Sequence, residues 1–380
     1  MIYLDNSATT YPKPKQVIDS FNISMQKYGA NFGRGIYDMS IKTAEQVFNV
    51  REKVADFFGV PSVEKVVFTS NCTHALNIAI KGVAKQGCHF IISDLEHNSV
   101  LRPLEKLKNK LNCEYSIAKV EKSIEKTISN FEKLIKNNTV AIICTGASNV
   151  FGILTPFKEL AKVAHKHNIL FILDASQIAG LVPIDMKKDD IDIICCAGHK
   201  YLYGPVGTGL LLLNENVNLD TLMEGGSGSN SLELSMPIDT PDRFESGTLN
   251  SIGIIGLGKG LDFLNNYKTD EIYKHEFVLM NNLYSFLNSN NYFKTYCGFQ
   301  FKTVVPIISF NVKGYNSELV ASELSKEDIA VRSGLHCASL AHQKFNTTNS
   351  GTIRISPSIF TKKYHIDLLI KSLIKIAKSN

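Results

Sequence analysis

The sequence predicts an α/β protein with a mostly parallel central sheet and a second, smaller domain. Two observations predict it. From Val66 to Leu213, short apolar runs alternate with segments of helical periodicity, the pattern of the crossover units that build parallel sheets. At 380 residues the chain is also long for one domain, and two domains would each bury a core. The predicted division puts residues 12–258 in the large domain and residues 259–380, with the N-terminal residues 1–11, in the small one.

Residues 2–4 read as a short strand, and Asp5–Thr10 as a polar turn cluster. Pro14–Tyr28 has helical spacing, Ala30–Asp38 is a Gly-punctuated loop, and Ser40 is placed to cap a helix running to Phe58. Strand Val66–Thr69 precedes a helix from about Thr73, and strand Phe90–Ser93 a helix from about Asn98. Strand Glu114–Lys119 precedes a helix near Glu125–Lys136, and strand Thr139–Cys144 the helix Phe157–His167. Strand Ile169–Leu173 runs into Asp174, strand Ile191–Cys196 into Lys200, and Leu210–Leu213 is the next strand. Regularity stops between Glu224 and Gly247, where Gly225–Ser229 and two prolines predict a mobile loop of functional length. Helices Ser251–Tyr267 and Asp270–Asn288 bridge to the second domain. That domain holds strand Thr303–Asn311, helix Ser317–Lys326, strands Ile329–Arg332 and Gly351–Ser356, and the helix Lys362–Lys378.

Composition excludes several classes of function. A net charge of +5 is small for this length, and no basic run is interleaved with aromatic residues, so nucleic acid is not the expected partner. Eight cysteines occur without a Cys-x-x-Cys pair, which argues against a zinc site and a secreted disulfide framework. The N-terminus has no basic region followed by an apolar stretch, and no segment approaches membrane-spanning length. A soluble, cytoplasmic protein is the expectation.

Function concentrates at the strand ends. Lys200 lies in Ala197–Gly209, a loop rich in Gly and Pro just past a strand's carboxyl end, where open α/β sheets bind ligands. A partly neutral lysine there can form a Schiff base with a carbonyl cofactor. Asp174 ends an apolar strand, either as the partner of a pyridinium nitrogen or as the cap of a helix over Ser176–Gly180. Thr73 opens a helix whose free N–H groups suit a phosphate, as many βα turns would. His97 offers a flat ring for stacking or is a loop histidine near a cap, and Asn149 is a ring-oxygen donor or a turn asparagine. Taken jointly, Thr73, His97, Asn149, Asp174 and Lys200 describe a pyridoxal-phosphate site.

Two further groups lie in the second domain. Cys337 stands beside His336 and near Arg332 in a Gly-containing loop, where cationic neighbours would favour a thiolate; the other reading is a buried, inert cysteine. Alternation puts Thr352, Arg354 and Ser356 on one strand face, with Arg354 either clamping a carboxylate or facing solvent on an edge strand.

The motifs Tyr3–Thr10, Glu96-His97, Ser148-Asn149, Asp174–Gln177, Gly198-His-Lys200, Phe244–Thr248 and Arg332-x-Gly-x-His-Cys337 resemble the class V aminotransferase family. Within it they are similar to cysteine desulfurases and selenocysteine lyases with a short, structured cysteine loop. The resemblance runs from the first strand to the last helix in motif order.

It implies a fold-type-I, pyridoxal-phosphate-dependent enzyme with a mostly parallel seven-stranded sheet, a smaller α+β C-terminal domain, and a homodimer in which both subunits contribute to each site. It implies Lys200 as Schiff-base lysine, Asp174 as pyridinium partner, Gln177 near the ring oxygen, and Thr73, His199 and a neighbouring subunit's Thr248 on the phosphate. It also implies Arg354 on the substrate carboxylate with Asn149 nearby, and Cys337 as the sulfur-attacking thiol. Asn31 and Arg34, in the N-terminal loop, are carried over as substrate-side residues. Two positions depart from the pattern. Ala197 stands where the family often has serine, and Tyr37 where this group commonly has histidine.

The expected activity converts L-cysteine to L-alanine, with the sulfur held as a persulfide on Cys337 and passed to a protein acceptor. Selenocysteine is a rival substrate, and another class V lyase or aminotransferase would keep Lys200 and Arg354 without needing Cys337. A non-catalytic sulfur-handling or partner-binding protein on this fold would have no physical need for Lys200, Asp174 and Thr73.

Overall fold

A computed structural model describes residues 1–33, 35–229 and 231–379. The apolar runs of the first half do form one sheet of seven strands. Named by first residue, their order across the sheet is Val66, Gly209, Ile193, Leu170, Thr139, His89, Glu114. Five neighbouring strands, from Ile193–Ala197 to Glu114–Ala118, run parallel. Gly209–Leu213 is antiparallel to both of its neighbours. Helices cover both faces, so strands such as Val66–Thr69, His89–Ser93 and Ile193–Ala197 are buried at every position. This is why they read as unbroken apolar runs rather than alternating ones. Helix Ser251–Tyr267 packs on Lys15–Lys27 and on Asp38–Phe58.

A second sheet is antiparallel, in the order Arg332–Gly334, Thr352–Ile355, Ile308–Val312, Phe293–Thr295. Ile2–Tyr3 pairs in parallel with Ile329–Ala330, and Leu4 is buried in the same apolar cluster as Phe310, Ile353 and Leu369. The chain's first residues therefore pack against its last third.

Several local expectations are corrected. The helix expected to be capped by Ser40 begins at Asp38; Ser40 is buried and its hydroxyl donates to the Asn31 carbonyl at 2.8 Å. The strand expected over Thr303–Asn311 is Ile308–Val312. Pro306 lacks an N–H, and the residues before it pair elsewhere: Val305 N donates to Gly152 O at 2.7 Å and Leu154 N to Thr303 O at 3.0 Å. Ile329–Arg332 splits into Ile329–Ala330 and Arg332–Gly334, which join different sheets. The short strand Phe293–Thr295 and helix Ser339–Lys344 are too brief to leave a periodic signal in the sequence. Between Glu224 and Gly247 the described residues form neither helix nor strand.

Candidate active site

The carboxyl ends of the parallel strands open on one pocket, and it is lined by Thr73, His97, Asn149, Asp174, Gln177, His199 and Lys200. Lys200 lies in the loop linking Ile193–Ala197 to its antiparallel neighbour Gly209–Leu213. Close backbone packing fixes that loop. A Cβ on Gly209 would meet the Asn71 backbone at 2.5 Å, and one on Gly198 would meet Thr208 Oγ1 at 2.2 Å. The N-terminal segment holds the loop from the other side. Thr10 N, Thr9 Oγ1 and Lys13 Nζ all donate to His199 O, at 3.1, 3.2 and 2.7 Å, and Thr10 Oγ1 donates to Lys200 O at 2.7 Å. Burial pushes the Lys200 amine down, with the Arg354 and Arg332 charges adding to it against the raising influence of Asp174 and Cys72. This favours the neutral amine that Schiff-base chemistry requires.

Asp174 ends the strand Leu170–Asp174 and is almost fully buried. Its Oδ1 accepts from Ser176 N at 2.9 Å and from the Cys72 thiol at 3.5 Å. Residues 176–180 are turn rather than helix, so the capping role is replaced by this local turn. Oδ2 takes no hydrogen bond among the described residues and is left for a ligand.

At the opposite end, Thr73 is the second residue of helix Cys72–Val83, whose cap Asn71 accepts from His74 N at 2.9 Å. The N–H groups of Cys72 and Thr73 precede any intrahelical acceptor and suit an anion. A short relay runs from Thr73 Oγ1 to Ser99 Oγ at 2.8 Å, and from Ser99 Oγ to His97 Nδ1 at 2.8 Å. Ser99 N also donates to that nitrogen at 3.1 Å, so Nδ1 is the acceptor and the proton of the neutral ring sits on Nε2. Burial lowers both imidazoles to about 4, His97 against the raising effect of Asp174 and His199 with the help of Lys200 and Lys13.

Arg354 is 2 % exposed, which removes the solvent-facing reading. It reaches the pocket through Asn149, whose carbonyl accepts from its NH1 at 3.0 Å. Asn149 Nδ2 in turn donates to His336 O at 2.7 Å, and Asn98 N donates to Cys337 O at 2.8 Å. The Cys337 loop is thus pinned beside His97 and Asn149 with its thiol residue exposed, which removes the buried-cysteine reading. One electrostatic expectation fails. His336 is no cationic neighbour: it is buried, stacked on His342 at 5.7 Å, and pushed down to about 2 by burial and by the Arg354 charge.

Other expected residues are not gathered here. Asn31 is exposed and spends its Oδ1 on Gly33 N at 3.0 Å. Thr248 is exposed and away from this chain's own pocket, on a segment anchored by the buried bidentate pair Arg51–Glu245. Arg34 lies outside the described residues. Asn71, Cys72, Ser99, Thr145 and Ser176 also line the pocket, and sequence reasoning missed them. Cap-forming Asn71 carries a usable signal in its position before Thr73; the others become visible only when the strands are side by side.

The residues fit pyridoxal phosphate. His199 Nδ1 and Gln177 Oε1 are buried in the pocket with no partner among the described residues, so bonding capacity is left over for a polar ligand. The helix start, the free Asp174 oxygen and the Lys200 amine supply an anion cradle, a partner for a ring N–H and a Schiff-base nitrogen within one pocket.

Comparison with known proteins agrees. The family model of aminotransferase class-V matches residues 2–369. A probable cysteine desulfurase of Methanothermobacter thermautotrophicus is 31% identical over 99% of this chain and 94% of its own. A cysteine desulfurase of Escherichia coli O8 is 30% identical over 99% and 93%. Among solved structures, the apo cysteine desulfurase from Thermococcus onnurineus NA1 superposes with a TM-score of 0.93 at 30% identity, covering 100% of this chain and 95% of that one. Fold, strand-end chemistry and sequence agree along the whole length, and the chain belongs to the class V aminotransferase family.

Proposed function

We propose that the chain is a pyridoxal-phosphate-dependent cysteine desulfurase that releases L-alanine from L-cysteine and carries the sulfur as a persulfide on Cys337. The observation that carries the reading is the thiol's placement. Of eight cysteines, six are buried and Cys297 is half-buried, while exposed Cys337 sits on a loop tied to His97's helix and to Asn149. Thr73, His199 and the start of helix Cys72–Val83 would hold the cofactor's phosphate, Asp174 its ring nitrogen, and Gln177 would lie near its ring oxygen. When bound, the cofactor supplies an electron sink for the substrate's α-carbon.

Lys200 accepts the α-proton at Nζ, and Arg354 orients the carboxylate. The Cys337 thiolate bonds to the substrate sulfur as the carbon–sulfur bond breaks. The electron pair of that bond stays with carbon and is protonated, so one thiol and one cysteine become one persulfide and one alanine. A protein acceptor would take the sulfur from this exposed position. A homodimer accounts for Thr248, which is exposed and unused by its own pocket.

Cys337→Ala tests the reading. With L-cysteine and no reductant, the wild type should gain one sulfur on the peptide carrying Cys337, and the variant none by mass spectrometry. The variant should still take up cofactor and show the wild-type visible absorbance. Normal alanine release by the variant would leave a lyase that needs no thiol nucleophile. Running L-selenocysteine in parallel decides the preferred chalcogen.

A further inference from the structure

Arg354 does not wait for substrate as a free cation. NH1 is held by the Asn149 carbonyl, and NH2 donates to Asp5 Oδ1 at 2.5 Å. Nε is buried and has no partner among the described residues. Arg332 stands opposite Arg354 in the register of the two strands, and its charge adds to burial in lowering the Arg354 pKa, while Asp5 is the carboxylate paired with Arg354.

Asp5 is itself placed firmly. Leu4 O accepts from Ser356 N at 2.8 Å, and Asn6 N donates to Ser356 O at 3.2 Å, so the backbone on both sides of Asp5 is laced to the strand end beyond Arg354. A little further on, the same segment donates from Thr10 to the carbonyl of Lys200. One tied stretch of chain therefore touches the Arg354 guanidinium directly and the backbone of Lys200, the two residues assigned to the ends of an α-amino acid.

Resting on Arg354 as the carboxylate clamp, we propose that Asp5 is a positioning residue that holds the Arg354 guanidinium in the orientation that receives the substrate carboxylate. A buried guanidinium on a flexible stem needs its unused edge fixed before it presents the other bidentately. Asn149's carbonyl fixes one nitrogen, and Asp5 fixes the second while offsetting part of the charge that burial and Arg332 make costly. Removing Asp5 should weaken ligands in proportion to what their carboxylate contributes, and leave the amine end alone.

The test uses the cofactor-loaded enzyme. KM and kcat are measured with L-cysteine, and dissociation constants for L-alanine and ethylamine are read from the change each causes in visible absorbance. Ethylamine has the amine without the carboxylate. Asp5→Ala should raise KM and the L-alanine constant about tenfold, keep kcat within about twofold, and leave ethylamine unchanged. Asp5→Asn keeps an acceptor oxygen and should recover most of that loss; it also serves if the alanine variant fails to fold. Arg354→Lys should raise the same two constants further. If Arg354→Lys leaves both unchanged, the clamp itself is wrong. If it raises them while the Asp5 variants bind L-alanine as well as or better than wild type, or lose ethylamine equally, the positioning role is overturned.

Discussion

The strand-end pocket and the Cys337 loop are assembled by opposite means. Asp174 ends one strand and Lys200 follows another in the next loop. Both strands are buried at almost every position, and burial lowers the pKa of the Lys200 amine. The Cys337 loop belongs to the edge strand of a small sheet, is partly exposed, and is shaped by the backbone. His336 and Cys337 have φ of 50° and 56°, two successive non-glycine residues in the left-handed region. That conformation costs about 1–2 kcal/mol per residue. Gly334, at φ 96°, precedes them without that cost, and a Cβ on Gly351 would meet its Cα at 2.8 Å. The pocket tunes charge; the loop fixes where one sulfur can be. Exposure and geometry, rather than an adjacent imidazolium, are what the loop gives Cys337, because the same burial that helps Lys200 keeps His336 neutral.

The largest effect expected of breaking the pocket is at Lys200. Lys200→Ala removes the only amine assigned to the α-proton and should lower turnover by at least about 10²–10⁴-fold, the usual contribution of a positioned acid–base group. The fold should survive, since Lys200's structural ties run through its carbonyl, which alanine keeps. Circular dichroism should match wild type, and the borohydride-sensitive visible band should be absent. Alanine release at the wild-type rate would return the lysine to an ordinary loop residue.

A smaller loss should follow Asp174→Asn, which is nearly isosteric. Its side-chain oxygen can still accept from Ser176 N, so the turn should hold. An uncharged amide no longer favours a protonated ring nitrogen, so turnover should fall by about 10²-fold while cofactor remains bound and visible. Equal losses of turnover and of cofactor occupancy would show that the carboxylate acts in binding alone. The Cys337→Ala variant sharpens the comparison from the loop's side, because it should spare cofactor uptake entirely.

How much of the molecule is legible in the sequence divides along the same line. Strand ends such as Asp174 and Lys200 announce themselves, since a buried apolar run that stops at one charged residue needs a partner for that charge. Thr73, His97 and Asn149 gain their meaning only when those ends are read together. Asp5 reads as part of a polar turn and of the motif Tyr3–Thr10, but its pairing with Arg354 is hidden, because that partner lies hundreds of residues away and pairing across that distance leaves no local pattern. The state of His336 is hidden for a related reason: sequence shows that it adjoins Arg332 and Cys337, but not that it is buried against His342. Thr248 carries a motif signal and Asn31 a place in the Gly-punctuated N-terminal loop, yet one chain does not bring them to its own pocket.

The smallest effect concerns a histidine outside both regions, and it tests whether burial alone separates them. His97 and His199 are lowered to about 4 chiefly by burial, so they withdraw stability as pH falls from about 6.5 toward that value. His165 is also lowered by burial, but hydrogen bonds and charge from Asp192 and Asp190, at 2.9 and 3.3 Å, outweigh it and raise its pKa. The sign reverses. Its stabilising contribution is complete below the unfolded value of about 6.5 and is lost as pH rises through the raised folded value. With a third of its side chain exposed, the pair is worth about 0.2–1 kcal/mol. Urea unfolding of His165→Gln should therefore differ from wild type by that amount at pH 6 and by less at pH 8. A difference that grows toward pH 8 would mean that burial, not the two aspartates, governs this imidazole as it governs those of the pocket.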